Sequence, residues 1–240
     1  MKKLILIGLL ALLAGCDNSD EHVKILFAEV ENGIEPYTSR TIISPDFMRI
    51  DYNEDDNDFI LYDRKTKTVY SIVNGDQSIV VIAPREHDTK SPIKLNLAIE
   101  AGKLGKDAPT VDGKQPKHFI YTVNNKVCYD TISVEGLLPV VGEIYSDYLA
   151  TLAGEHARIL PVTPADLQNG CDLANNIFAI GRQFEKGFPI NEWHGEYNNG
   201  YKRQLIDYQT GYKADPKLFK LPENYRRFTP DTIGAIPEGS

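Results

Sequence analysis

From residue 23 to residue 134 the chain alternates apolar and polar side chains with a period of two, which restricts it to strands with one buried and one wet face. The clearest run is Ile93-Lys94-Leu95-Asn96-Leu97-Ala98-Ile99-Glu100, one parity of which is wholly aliphatic. The same texture predicts strands over 23–31, 38–44, 47–52, 59–63, 68–74, 78–83, 119–123 and 126–134. Their joints carry turn chemistry: Asn74-Gly75-Asp76 and Asn124-Asn125 supply residues that tolerate positive φ, as tight hairpins require. Short strands with short joints add up to an antiparallel meander.

The period changes after Pro139. Val141, Ile144, Tyr145, Tyr148, Leu149 and Leu152 follow helical spacing and place one apolar stripe on a helix ending near Gly154. Thr163-Pro164-Ala165-Asp166 has the order of a second helix start, an N-cap followed by proline, and the pattern runs with a break at Asn169-Gly170 to Ala179. Strand texture returns over 190–196 and 202–208, around Asn198-Asn199-Gly200, and residues 230–240 offer little to pack and read as a loose tail. The expected class is mainly β (α+β): a curved antiparallel sheet or incomplete barrel with a helical cover. It forms one domain over 23–229, with its helical insert at about 139–180.

Ahead of that domain stands MKKLILIGLLALLAGC: two lysines, an apolar run from Leu4 to Leu13, then small residues, the layout of a secretory signal peptide over 1–15. The run is too short to span a bilayer, which takes about 20 residues. Leu13-Ala14-Gly15-Cys16 resembles the lipobox of bacterial lipoproteins, which implies cleavage before Cys16 and its acylation with chains of the palmitate type. Several chains on one residue hold a protein on a membrane, each buried methylene contributing about 0.8 kcal/mol. Residues 16–22 then form a tether facing the periplasm. Asp17 resembles the signal that retains lipoproteins in the inner membrane.

Charge and cysteines fit that compartment. The chain has 26 basic and 34 acidic residues, and removing Lys2 and Lys3 with the leader leaves 24 against 34, a formal net charge of −10. An acidic surface disfavours nucleic acid as a partner. With 42% hydrophobic and 25% charged residues the composition is that of an ordinary globular protein. Cys128 and Cys171 remain after Cys16, and an oxidising compartment favours a disulfide between them.

Chemistry has no strong address here. The histidines His22, His87, His118, His156 and His194 lack the close spacing of a metal pair, and Glu155-His156 lacks the second histidine of a metalloprotease motif, so neither a metal nor another cofactor is expected. The acidic run 53–58 lacks the glycine and glutamate of a calcium loop and reads as a hydrated connection. No serine sits in a hydrolase elbow, and Ser133 and Ser146 have no neighbouring base. In Glu192-Trp193-His194-Gly195-Glu196, strand geometry puts Glu192, His194 and Glu196 on one face, suited to acid–base work or, as such spacing more often is, to a solvated outer face. Thirteen tyrosines against one tryptophan provide many apolar bodies with polar tips, for a pocket mouth or for strand pairing.

A family resemblance rests on three strand segments and an ending. Met48-Arg49-Ile50-Asp51-Tyr52, Phe59-Ile60-Leu61-Tyr62-Asp63 and Thr68-Val69-Tyr70-Ser71-Ile72-Val73 resemble the early strands of the LolA/LolB superfamily of lipoprotein carriers and receptors. Leu218-Phe219-Lys220-Leu221-Pro222-Glu223-Asn224-Tyr225 is similar to the Phe-x-Leu-Pro-x-x-Tyr ending of that superfamily and its uncharacterised relatives. The resemblance covers 23–133 and 190–228 and implies an incomplete barrel whose helices close a hollow for acyl chains. Carriers of that type are soluble, whereas this chain has its own lipidation motif, and 171–190 looks more like a group of uncharacterised bacterial lipoproteins. The expected hollow lies between Ile93, Leu95, Leu97 and Ile99 and the helix bearing Val141, Ile144 and Tyr148. The expected function is non-catalytic: a membrane-tethered protein binding a lipid, another hydrophobic ligand or an envelope protein. A packed assembly factor, or an enzyme using 193–196, is the alternative.

Overall fold

A computed structural model describes residues 22–52, 58–105, 107–195 and 200–231. The leader, Cys16, Asp17, Glu196, residues 53–57 and the tail from 232 onward lie outside the described residues. Twelve strands form one open, curved sheet: β1 His22–Val30, β2 Tyr37–Ile43, β3 Phe47–Tyr52, β4 Phe59–Asp63, β5 Thr68–Val73, β6 Ser78–Ile82, β7 Leu97–Ala101, β8 Lys117–Val123, β9 Lys126–Val134, β10 Phe188–Trp193, β11 Lys202–Tyr212 and β12 Arg226–Phe228. Their order is β12-β6-β5-β4-β3-β2-β1-β11-β10-β9-β8-β7. All neighbours are antiparallel except β12 on β6. The mainly β class with a helical cover is therefore the observed one. Register shifts at Leu26/Phe27, Pro189/Asn191 and Tyr121/Thr122 insert bulges into three pairings, and bulges bend and twist the strand that carries them.

Helix α1, Pro139–Ile159, lies on the concave face. Val141, Ile144, Tyr145 and Tyr148 bury its stripe against Ile25, Phe27, Met48, Ile50, Tyr62 and Val69. The helix does not stop at Gly154. The connection between β6 and β7 crosses α1 there, and a Cβ on Gly154 would stand 2.5 Å from the Arg85 carbonyl oxygen, so this glycine is needed for close passage instead of for an ending. Beside it, Glu155 is held by Arg158 (Nε donating at 2.8 Å) and Arg85 (3.7 Å).

The second helical stretch is more broken than its pattern. Thr163 does not cap it: its backbone is extended after a 3-10 turn, Leu160–Val162, and its hydroxyl donates back to Ile159 O at 3.0 Å. The cap is Asn169, whose side chain accepts from Asp172 N–H at 3.1 Å and starts α2, Gly170–Leu173, which runs into a wide turn over Ala174–Phe178. This stretch covers the other half of the concave face, packing Ala174 with Tyr121, Val123, Tyr129 and the partly buried Leu95 and Ile99. Cys128 and Cys171 form the expected disulfide, which fixes α2 to β9.

The opposite face is covered over β3 to β6. Phe219, Leu221 and Tyr225, the apolar residues of the closing motif, pack on Phe59, Leu61, Ile72 and Ile79. Turn chemistry matches at Asn124 and Asn125, with φ of 52° and 64°. In the β5–β6 hairpin, by contrast, the positive φ falls on Gln77 (48°) and not on Asn74 or Gly75. The last acid of the acidic run serves this hairpin, since Asp58 accepts from Asn74 N–H at 2.6 Å.

Candidate functional site

The expected hollow is not one place. Val141, Ile144 and Tyr148 face the sheet at β1–β5, whereas Leu95 and Ile99 pack beneath the α2 stretch and Ile93 and Leu97 are 42% and 45% exposed. The strand expected over 93–100 begins only at Leu97, with Ile93 in a bend ahead of it, and β7 is an edge strand, which leaves Leu97 exposed. The space beneath α1 instead lies against β1, β3, β10 and β11. It is a partly enclosed chamber of about 220 Å³, walled by Phe27, Ile50, Leu149, Phe184, Phe188 and Pro189 and by Tyr52, Tyr145, Tyr148 and Tyr201. Phe184 and Phe188 also line an open cleft of about 940 Å³ at the N-terminal end of α1, beside Leu137, Leu138 and Gly142. These two rings thus separate an inner chamber from an outer cleft.

The floor of the chamber is charged. Ile25, Phe27 and Glu29 share the buried parity of β1, so Glu29 is only 4% exposed. Strand register sets Glu29 directly opposite Arg203 on β11, and Arg203 directly opposite Glu192 on β10, giving a row of acid, base and acid across three strands. The Arg203 Nε lies 3.7 Å from Glu29 Oε1, its Nη2 donates to the Tyr145 hydroxyl at 3.0 Å, and its guanidinium carbon sits 3.6 Å from the Phe27 ring centre. Glu29 also accepts from Ser39, from Tyr201 at 3.1 Å and from Tyr37 at 3.4 Å. Thr41 and Tyr145 complete the network with a 2.6 Å hydroxyl contact.

Burial and charge tune these groups in one direction. Burial alone disfavours the Arg203 cation, but Tyr145, Tyr201 and Glu29 outweigh it and hold the guanidinium above its ordinary pKa. Burial first, and the Glu29 charge second, push the Tyr52 hydroxyl up to about 12. Burial likewise raises Tyr148 and Tyr201. The chamber therefore presents neutral phenols at any physiological pH.

Other residues singled out by the sequence have structural partners. Glu192 and His194 share a face as expected and lie 3.1 Å apart, but that face is the concave one and not the solvated outside, while Trp193 points the other way against His118. Tyr129 stacks between Tyr121 and His194 at centroid distances of 4.5 and 5.5 Å. Both ring nitrogens of His118 are engaged, Nε2 with Asp130 at 2.7 Å and Nδ1 with Lys103 O at 3.2 Å. His22 accepts from Ala214 N–H, His156 meets Asn176 O, and His87 meets the Phe178 ring edge-on. Ser133 pairs with Thr131, and Ser146 donates to Gly142 O. Among the described residues, no three His, Cys, Asp or Glu side chains converge to hold an ion, and no helix is long and apolar enough to cross a membrane.

No protein-family model and no curated protein matches the sequence. Among solved structures the chain is similar to an uncharacterized conserved protein from Thermus thermophilus, with a TM-score of 0.43 and 7% identity over 88% of this chain and 91% of that one. It is similar to PNGF-II (TM-score 0.41, 13% identity, 90% of this chain and 32% of that one). It is also similar to Pseudomonas aeruginosa MucB, solved in complex with MucA (TM-score 0.37, 9% identity, 87% of this chain and 58% of that one). The chain thus spans about a third of the PNGF-II chain and 58% of the MucB chain. At these TM-scores the likeness carries no functional argument.

Proposed function

We propose that this chain is a membrane-tethered lipoprotein of the bacterial envelope, facing the periplasm, whose domain binds an amphiphile between α1 and the sheet without chemically changing it. The observation that carries the reading is the chamber itself: aromatic walls, a hydrogen-bonding floor and a continuation past Phe184 and Phe188 into a cleft of about 940 Å³. Ligand sites are concave and mostly apolar, with a few placed polar groups. A solidly packed scaffold would have no such space. The LolA/LolB resemblance supports the same reading, with acyl chains as the apolar part of the ligand.

The site test follows from the wall. Leu149 lines the chamber on the solvent-facing shoulder of α1, and Leu149→Trp should fill ligand space. Binding of the uncharged fluorescent probe N-phenylnaphthylamine should weaken about ten-fold, with little change in melting temperature. A variant that melts much earlier, with wild type binding no probe, would mark the space as core overpacked by the larger ring, at a cost of about 1–3 kcal/mol.

The anchor is proposed from the motif at Cys16, with Asp17 favouring the inner membrane. Cys16→Ala should abolish incorporation of a tagged fatty acid and leave the leader uncleaved by the lipoprotein peptidase, both read on a gel of labelled cells. Equal labelling of variant and wild type would remove the anchor from the proposal.

One observation favours a second reading, docking of an envelope protein. Strand β7 ends the sheet with Leu97 45% exposed, and an extended partner segment can add to such an edge.

A further inference from the structure

We propose that the chamber selects amphiphiles whose head is uncharged and hydrogen-bonding, an amide or alcohol on a single alkyl chain, over fatty-acid anions and amines. This inference rests on the amphiphile reading above and adds the chemistry of the head. It follows from the row Glu29, Arg203, Glu192.

An anionic head needs an available cation. Arg203 is the cation among the residues lining the chamber, and it is already opposed by Glu29, stacked on Phe27 and bonded to Tyr145. With Glu192 on its other side, an incoming carboxylate or phosphate meets two carboxylates for one guanidinium. An ammonium head has the opposite difficulty. It can reach the free oxygen of Glu192, but there it must shed its water beside Arg203, in a poorly solvated space where like charges repel more strongly than in water, and Glu29, already occupied by Ser39, Tyr37, Tyr201 and Arg203, offers it no second acceptor.

A neutral head meets neither obstacle. Tyr52 and Tyr148 bring phenols that stay protonated and can donate to an amide carbonyl or hydroxyl oxygen, whereas the Tyr201 proton is held by Glu29. Glu192, 16% exposed and bonded to His194 through one oxygen, can accept an N–H or O–H from the head. The alkyl chain then runs along Phe27, Leu149 and Phe188 and leaves past Phe184 into the cleft, whose wall includes Leu137 and Leu138.

The test compares heads on one tail. Octanamide, octanoate and octylamine are titrated into the full chain held in bilayer nanodiscs, with heats from empty discs subtracted. Octanamide should bind about ten-fold or more tightly than either charged analogue. In Glu192→Gln the row loses its second carboxylate, so octanoate should gain several-fold relative to octanamide. Octanoate or octylamine binding as tightly as octanamide in wild type would overturn the head assignment and leave the amphiphile reading standing. An octanamide preference unchanged by Glu192→Gln would also overturn it, by separating selectivity from this row. Failure of all three to bind would remove the amphiphile reading and this inference with it.

Discussion

Above a pH of about 10 the protein should lose stability steeply, because that is where unfolded tyrosine ionises and buried tyrosine does not. Tyr62, Tyr121, Tyr129 and Tyr148 are all buried, and burial raises the pKa of each, that of Tyr121 to about 12. Below the ordinary tyrosine value both states hold these protons, so the four groups add no slope. Above it the unfolded chain binds fewer protons than the folded one, and stability falls with rising pH until the folded tyrosines ionise themselves. Each such group adds about 1.4 kcal/mol per pH unit for as long as its folded form keeps the proton, so a few of them together weigh heavily against a total of about 5–15 kcal/mol for a typical domain. Circular dichroism should report cooperative unfolding between about pH 11 and 12, with tyrosinate absorbance rising in the same transition. Tyr121→Phe should lower the slope measurably, by removing one of the tyrosines that contribute to it. Tyrosinate appearing near pH 10 in a protein that keeps its circular dichroism would show that these hydroxyls titrate freely.

The second large effect belongs to the Cys128–Cys171 bond, which spans 43 residues of sequence. Cross-linking a loop of that length removes enough freedom from the unfolded chain to stabilise the fold by roughly 4 kcal/mol. Replacing both cysteines with alanine should lower the urea midpoint of wild type, and reductant should lower wild type to the same value while leaving the variant unchanged. The loss should begin locally. Leu173, Ala174 and Ile177 sit on the stretch the bond secures, so their amides should exchange with solvent faster in the variant. Full alkylation of both thiols in unreduced protein would show that the bond does not form.

Most strands of this sheet were legible because each has one wet face, and period-two alternation survives wherever that holds. The helix at Val141 was legible for the matching reason, a single stripe on one side. What failed was everything decided by a distant contact. Gly154 looks like a stop in isolation, yet it lies mid-helix because Arg85 passes over it. Leu97 has the alternation of a core position but falls on an edge, a matter of strand order that no local pattern records. The floor of the chamber was missed although a signal for it stood in the sequence. Glu29 follows Ile25 and Phe27 on the apolar parity of β1, and Arg203 precedes Leu205 on that of β11. A charge of each sign at a core parity in two separate strands asks for a partner, and the two are cross-strand neighbours.

The place of β1 in the sheet has a consequence for how the molecule is assembled. Its first strand lies between β2, which follows at once, and β11, where His22 partners Tyr212. In a chain that emerges N-terminus first during synthesis, β1 to β6 can zip together from local contacts before β11 has been made. Such distant pairing makes folding slow, because the loop entropy must be overcome before the contact rewards it. Until synthesis is nearly complete, β1 offers a bare edge to any extended segment nearby, which is the exposure that leads to misassembly. Late arrival of residues 202–212 therefore makes the half-sheet of β1 to β6 the vulnerable species, and a chaperone acting on this protein would find its target in that interval.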